Sequence, residues 1–374
     1  MSATFLNEPL PATMHALVCE SLDRPFSLKS IPTPDVTPGS IVVKVLACAV
    51  QSNLKEMFSG QGPFKFPTPI VPGTRAVGRV AITGPDTTSL SVGQLVMLDP
   101  FITARDNPDL QIIWGTFGGP CPASQKLMAD NWRNAAFAEY TRVPLENCFP
   151  LNEKTLCGDL GLTFSELTHL GSSIVAYGGL RGIDLRAGEN IIVAPASGIY
   201  SGATVQVADA MGANVITVSR NLEVLKKLQT TFPRIKIVPL KGDYEEDLAA
   251  LSKFGLIEAY ADISPHGATG STHVRSCLMA LKEYGRAALM GVIAADIAIP
   301  YVTAVFKNLT IRGSYMYKKE DVRGLIRLAE SGVLKCGKAG GVEVIGEFKL
   351  EELDQACEAA AANTNAGQIV TLVP

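Results

Sequence analysis

Apolar and polar residues are patterned in two different ways along this chain. Up to about residue 150 the apolar positions fall in short runs at 14–20, 41–47, 78–82, 95–98 and 137–143, separated by Pro- and Gly-bearing turns. Short strands with frequent turn signals predict a β-rich domain, a partly open barrel. From about residue 163 brief apolar runs rich in β-branched residues alternate with longer stretches of helical period. Strands are predicted at 191–194, 215–218, 235–239, 257–263, 286–292 and 309–313, and helices at 170–180, 203–211, 221–231, 244–253 and 270–283. Six strands in this alternation is the count of a doubly wound parallel α/β sheet. A helix at 319–331, a strand at 342–348, a helix at 350–362 and a strand at 367–373 complete the pattern. Residues 1–13 read as a loose polar arm. The segment 100–135 holds both tryptophans and no clear period, and reads as a lobe on the N-terminal domain.

The stretch 188–220 carries the most chemistry. An apolar strand, a turn of small residues from Pro195 to Gly202, a helix and a second apolar strand form the βαβ unit that sets a pyrophosphate on a helix N-terminus. Pro195 and Ser201 stand where glycine is usual, and Pro195 offers no N–H. Phosphate therefore falls to amides further on, across Ala196, Ser197, Gly198, Ile199 and Tyr200. The second strand ends in Ser219 and Arg220 rather than in a carboxylate. A carboxylate would accept from a ribose 2′-OH and repel a 2′-phosphate, whereas hydroxyl plus guanidinium binds one, so NADPH is the expected cofactor.

Composition narrows the classes. A chain of 374 residues exceeds one ordinary core, so more than one domain is expected. A net charge of −3 gives no sign of nucleic-acid or membrane-surface binding, and no apolar run reaches a membrane span. Eight cysteines without metal-pair spacing read as reduced thiols in the cytoplasm. His169, His266 and His273 lack neighbouring ligands and read as solvated or capping side chains, although His266 follows a strand end where cofactor loops lie.

The order of short motifs resembles the medium-chain dehydrogenase/reductase superfamily over nearly the whole chain. The matching pieces are Val42-Val43-Lys44-Val45, Pro72-Gly73 with Gly78, Val92-Gly93-Gln94-Leu95-Val96, Phe137-Ala138-Glu139-Tyr140, Ala176-Tyr177-Gly178-Gly179-Leu180, Leu289-Met290-Gly291-Val292, Gly313-Ser314 and Gly367-Gln368-Ile369-Val370. The overall look is similar to fungal proteins labelled zinc-type alcohol dehydrogenases. The resemblance implies a GroES-like catalytic domain over 1–165, a Rossmann NADP-binding domain over 166–315 and a return to the catalytic domain over 316–374. It also implies a homodimer, and it places Gly291, Val292, Gly313 and Ser314 on the nicotinamide side.

Where zinc members carry a cysteine this chain has Gln51, and where they carry His-Glu it has Thr74-Arg75. The structural-zinc lobe of the family holds four cysteines, whereas the corresponding lobe here holds only Cys121. No metal is expected. Zinc-free relatives resemble quinone oxidoreductases and enoyl reductases, with Asn where Gln51 stands and Asp where Leu54 stands. Gln51, Ser52 and Lys55 are therefore the candidate catalytic residues, as donors to a carbonyl or as positive charge near an enolate. The expected reaction is hydride transfer from NADPH to a C=C bond conjugated with a carbonyl in a small hydrophobic substrate. Ketone or imine reduction, and cofactor binding without redox turnover, are the alternatives.

Overall fold

The computed structural model describes residues 10–22, 24–61 and 65–374. Residues 1–9 of the expected N-terminal arm lie outside the described residues. The chain divides into two compact units, one comprising Met1–Gly171, Glu343–Asn363 and Ile369–Pro374, the other Ser172–Val342 and Thr364–Gln368.

The first unit is built on a seven-stranded sheet. Its path runs Glu343–Phe348, Gln368–Leu372, Ser40–Ala49, Arg75–Thr83, Leu95–Leu98 and Cys148–Pro150, with Tyr140–Pro144 paired to Ser40–Ala49 off that path. Ser40–Ala49 pairs antiparallel with Gln368–Leu372, Arg75–Thr83 and Tyr140–Pro144, and register shifts interrupt its ladder with Arg75–Thr83. Such bulges bend a strand and increase its twist. Ile41, Val43, Val45, Val96 and Leu98 turn inward with Trp114 and Phe137 to make one core. A separate hairpin pairs Thr13–Val18 with Ser27–Pro32, a strand that the proline-rich sequence after it obscured.

The 100–135 segment has structure of its own. Phe101–Thr103 pairs with Gln111–Ile113, and a helix spans Pro122–Asp130. Trp114 is fully buried, and its indole N–H donates to the Asn134 carbonyl at 3.0 Å. That tryptophan packs the lobe.

The second unit holds a six-stranded parallel sheet in the spatial order Lys236–Pro239, Asn214–Ser219, Asn190–Val193, Ala259–Asp262, Arg286–Leu289, Thr310–Gly313. The order reverses at Asn190–Val193, which is the switch point where doubly wound sheets open a ligand crevice. Central strands read as unbroken apolar runs because helices cover both faces. Ile191, Ile192 and Val193 are completely buried. The Lys319–Glu330 helix belongs to this unit, so the return to the first unit begins at Glu343, later than the expected residue 316. Gly324 admits Tyr177, whose hydroxyl a Cβ would meet at 2.8 Å and whose ring it would meet at 2.9 Å, and Arg181 pairs with Asp321 at 3.1 Å. Those contacts hold the helix where it is.

Candidate active site

The strand-to-helix turn of the second unit is shorter than the sequence suggests. The helix spans Ile199–Ala210, so Ile199 and Tyr200 are its first residues rather than turn residues. Gly198 is the cap, and its N–H donates to the Ser201 hydroxyl at 2.9 Å. Serine at this position replaces a phosphate-facing glycine with an internal cap. The Ala196 N–H is likewise taken, by the Val218 carbonyl at 2.9 Å. The Ile199–Ala210 helix starts at this turn, and the start of a helix is its positive end, of the kind that holds phosphate.

A segment from the end of the chain lies over this turn. The Ala366 N–H donates to the Ser197 carbonyl at 2.8 Å, and Asn365 bridges Gly198. A Cβ on Gly202 would meet the Ala366 Cβ at 2.3 Å, so glycine is required for this approach. Ser219 and Ser197 are joined by their hydroxyls at 2.9 Å. Ser219 is buried and Arg220 is exposed beside it. Of the predicted pair only the guanidinium is presented to solvent. A hollow lined by Asn221, Glu223, Lys227, Asn365 and Gln368 adjoins that strand end.

Gly291 lies at the carboxyl end of the Arg286–Leu289 strand, where a Cβ would strike the Ser264 backbone at 2.6 Å and the Asp262 carboxylate at 2.8 Å. Val292 is exposed, and its N–H donates to the Ser264 carbonyl at 3.0 Å. Gly313 ends the last strand, and the Ser314 N–H donates to the Leu289 carbonyl at 2.9 Å. These residues lie at the carboxyl ends of adjacent parallel strands, as a dinucleotide crevice requires.

In the first unit the structure brings Gln51 and Thr74 together: the Gln51 amide nitrogen donates to the Thr74 hydroxyl at 3.2 Å. Gln51 Oε1 is buried and has no hydrogen-bond partner in the protein. Arg75, the next residue in the chain, is also buried, and a Cβ on Gly171 would meet its Cγ at 2.8 Å. The missing side chain at Gly171 makes room for the arginine. Amide, hydroxyl and guanidinium do not supply the three N, S or carboxylate donors of a catalytic zinc. Among the described residues no group of three or more His, Cys, Asp or Glu is placed to hold a metal.

Leu54, at the position where a carboxylate was of interest, is a core residue. Ser52 lies in the turn before the Leu54–Met57 helix. The Lys55 ammonium is 2.9 Å from Asp354 on an exposed surface, and its bond to that carboxylate raises its pKa. His169 and His273, read as solvated or capping from sequence, are instead buried, His273 with Asp262 and Ser264. The Ser-Thr-His run ahead of a helix, two strands' length from an aspartate, gave no spacing signal for that contact.

A parallel sheet reversing at its first strand, with a capped helix end at the switch point, defines a dinucleotide-binding protein. The sequence profile of the alcohol dehydrogenase GroES-like domain matches residues 37–153, and that of the zinc-binding dehydrogenase matches residues 201–331. An alcohol dehydrogenase of Geobacillus stearothermophilus is 24% identical over 329 residues, 86% of this chain and 90% of its own. The acryloyl-coenzyme A reductase of Metallosphaera sedula is 24% identical over 363 residues, covering 96% of this chain and 99% of its own. The crystal structure of 2R,3R-butanediol dehydrogenase from Bacillus subtilis superposes with a TM-score of 0.76 at 18% identity, over 96% of this chain and 99% of that one. The chain therefore belongs to the medium-chain dehydrogenase/reductase superfamily, whose members are oxidoreductases that use a nicotinamide cofactor. Among the described residues no helix is long and apolar enough to cross a membrane.

Proposed function

We propose that this protein is a zinc-independent, NADPH-dependent reductase of a C=C bond conjugated to a carbonyl in a small hydrophobic substrate. The observation that carries this reading is the Gln51–Thr74 pair, which offers an amide and a hydroxyl in place of metal ligands, with the buried Arg75 next in the chain. When bound, a reduced nicotinamide supplies a hydride. The chain's own part is to bind the cofactor, orient the acceptor and stabilise the charge that develops on its oxygen. Reduction at a conjugated carbon spreads that charge over an enolate, which hydrogen-bond donors can hold without a Lewis acid. A simple ketone develops a more localised alkoxide, for which a metal is the usual help.

Gln51 suits this task because its amide is reversible. In the orientation described, Nε2 donates to Thr74 and Oε1 is left as a buried acceptor. Turned by half a rotation, Oε1 accepts from the Thr74 hydroxyl and Nε2 presents donors to a carbonyl oxygen; the assignment of amide O and N is set by such networks. The first orientation, an acceptor facing the substrate, suits an alcohol O–H and favours the second reading, carbonyl–alcohol interconversion. The acryloyl-coenzyme A reductase relative supports the conjugated substrate, and the alcohol dehydrogenase relatives support the other.

Arg220, exposed at the end of Asn214–Ser219, supports NADPH over NADH, since the acidic residue that follows, Glu223, stands on the next helix and is paired with Lys226. The Thr310–Gly313 strand closes one edge of its sheet, and Tyr301, Val302, Val305 and Phe306 expose apolar side chains close by. An open edge flanked by such a patch suits pairing with a second copy about a twofold axis, and we read the protein as a homodimer. A Phe306→Glu variant that sediments as monomer while the wild type sediments as dimer supports that assembly; a wild-type monomer refutes it. The reductase reading is tested by NADPH oxidation against a panel of enones, ketones and imines. Turnover confined to enones supports it, turnover confined to ketones selects the second reading, and binding of NADPH without turnover on any class removes both.

A further inference from the structure

A buried polar network lies beside Gly291 in the second unit. Asp262, Ser264 and His273 are 3%, 1% and 2% exposed, and Tyr260 is fully buried. Asp262 Oδ1 accepts the Ser264 hydroxyl at 2.6 Å, and it lies 3.2 Å from both the Tyr260 hydroxyl and His273 Nε2. Its Oδ2 faces the Ser264 N–H at 3.4 Å and the bare α-carbon of Gly291. The Tyr260 hydroxyl also lies 3.4 Å from the carbonyl of Ala194, at the start of the turn before the Ile199–Ala210 helix.

The protons in this network are ordered by chemistry. Because the Ser264 hydroxyl donates to Asp262, its lone pair is left to accept from His273 Nε2, 2.8 Å away. A His273 ring with its proton on Nε2 fits these contacts, with Nδ1 then accepting from the Ser271 hydroxyl at 2.6 Å. Every donor that faces the carboxylate is used. The backbone repeats the tie, since the Met290 N–H donates to the Asp262 carbonyl at 2.8 Å and the Val292 N–H to the Ser264 carbonyl at 3.0 Å. Asp262 thus ties its own strand end to that of Arg286–Leu289 and, through the Tyr260 hydroxyl, reaches the end of Asn190–Val193, while its Oδ2 leaves no room for a side chain at Gly291.

The geometry points to Asp262 as a positioning residue for the reaction: held by Ser264 and His273, it fixes Gly291 and Val292 where the nicotinamide half of the cofactor is received. This rests on the NADPH reading above. Ser219 and Arg220, which would meet the adenosine half, belong to a different strand end, so the two halves of the cofactor should respond separately.

Asp262→Asn keeps the shape and reverses one polar face. Whichever way the amide turns, its NH2 meets donors, either those gathered at Oδ1 or the Ser264 N–H. Ser264→Ala removes the 2.6 Å bond to the carboxylate and leaves the backbone intact. Calorimetric titration of both variants and the wild type with NADPH and with 2′,5′-ADP separates the roles. The expected result is unchanged 2′,5′-ADP affinity in both variants, with NADPH weakened on the order of tenfold in Asp262→Asn and less in Ser264→Ala. Equal weakening of both ligands would show a general loss of structure and overturn the proposal, as would unchanged NADPH affinity. A wild type that binds neither ligand overturns the cofactor reading and this inference with it; one that binds both as expected while the variants are unaffected overturns this inference alone.

Discussion

The Ser219 hydroxyl donates to the Ser197 hydroxyl at 2.9 Å and accepts the Asn221 N–H at 3.2 Å, so it ties the end of the second strand to the turn at the switch point. Both of its hydrogen-bonding roles are used inside the protein. On the NADPH reading proposed above, discrimination of the ribose phosphate falls to Arg220. Arg220→Ala should weaken NADPH on the order of tenfold to a hundredfold, the range of a charge-assisted hydrogen bond, and leave NADH nearly unchanged. Ser219→Ala should instead affect both cofactors alike and lower stability by about 1 kcal/mol. Titration of each variant with the two cofactors checks this; equal effects of Arg220→Ala on both would remove it from the phosphate.

Gly202 is fixed by the approach of Ala366. Gly202→Val would drive a branched side chain into a space where even a Cβ comes within 2.3 Å of the Ala366 Cβ. Overpacking of this kind costs about 1–3 kcal/mol. We expect a lowered melting temperature together with a loss of the melting shift that saturating NADPH gives, because the displaced segment lies on the helix start. A variant that melts lower but keeps the full NADPH shift would separate Gly202 from the cofactor.

Leu54 occupies a core position in place of the carboxylate carried by zinc-free relatives. Leu54→Asp should therefore destabilise by about 3 kcal/mol or more, the cost of an uncompensated buried charge, rather than create a new proton relay. Denaturant unfolding measures the loss, and a stable variant with raised kcat would contradict it.

Two cysteines should differ sharply towards alkylating reagents. Burial pushes the Cys48 thiol up to about 12, despite the opposing charge of Arg75, whereas hydrogen bonding with Ser124 lowers that of half-exposed Cys121. Since the thiolate is the nucleophile, iodoacetamide at mildly alkaline pH should label Cys121 first and leave native Cys48 unmodified. The raised folded-state value also makes stability pH-dependent. The contribution of neutral Cys48 is complete below its ordinary 9.0 and is lost as pH rises towards about 12. A Cys48→Val variant should lose less stability than the wild type over that alkaline interval, as followed by thermal melts.

The doubly wound sheet was legible because its strands are unbroken apolar runs punctuated by glycine, proline and polar turns. All six lie within a few residues of their expected places, and the family resemblance is borne out. The start of the Ile199–Ala210 helix was not legible, since an isoleucine and a tyrosine after glycine read equally as turn. The Ser201 cap that decides the matter is a side-chain event. Lys55 looked like free charge near the site until the fold carried Asp354 to it from the far end of the chain. Likewise nothing in local spacing joins Asp262 to His273: parallel pairing sets the strand end beside the helix that follows it, and only then do carboxylate and imidazole meet. Gln51 and Thr74 were linked through resemblance alone, and their contact is now a hydrogen bond.

The most direct measurement is NADPH oxidation with an enone by protein stripped with a strong chelator, alongside the zinc content of the same sample. The account predicts undiminished turnover with substoichiometric zinc, and a large loss of kcat in Gln51→Leu that added zinc does not restore. Activity abolished by the chelator and recovered with stoichiometric zinc would contradict it.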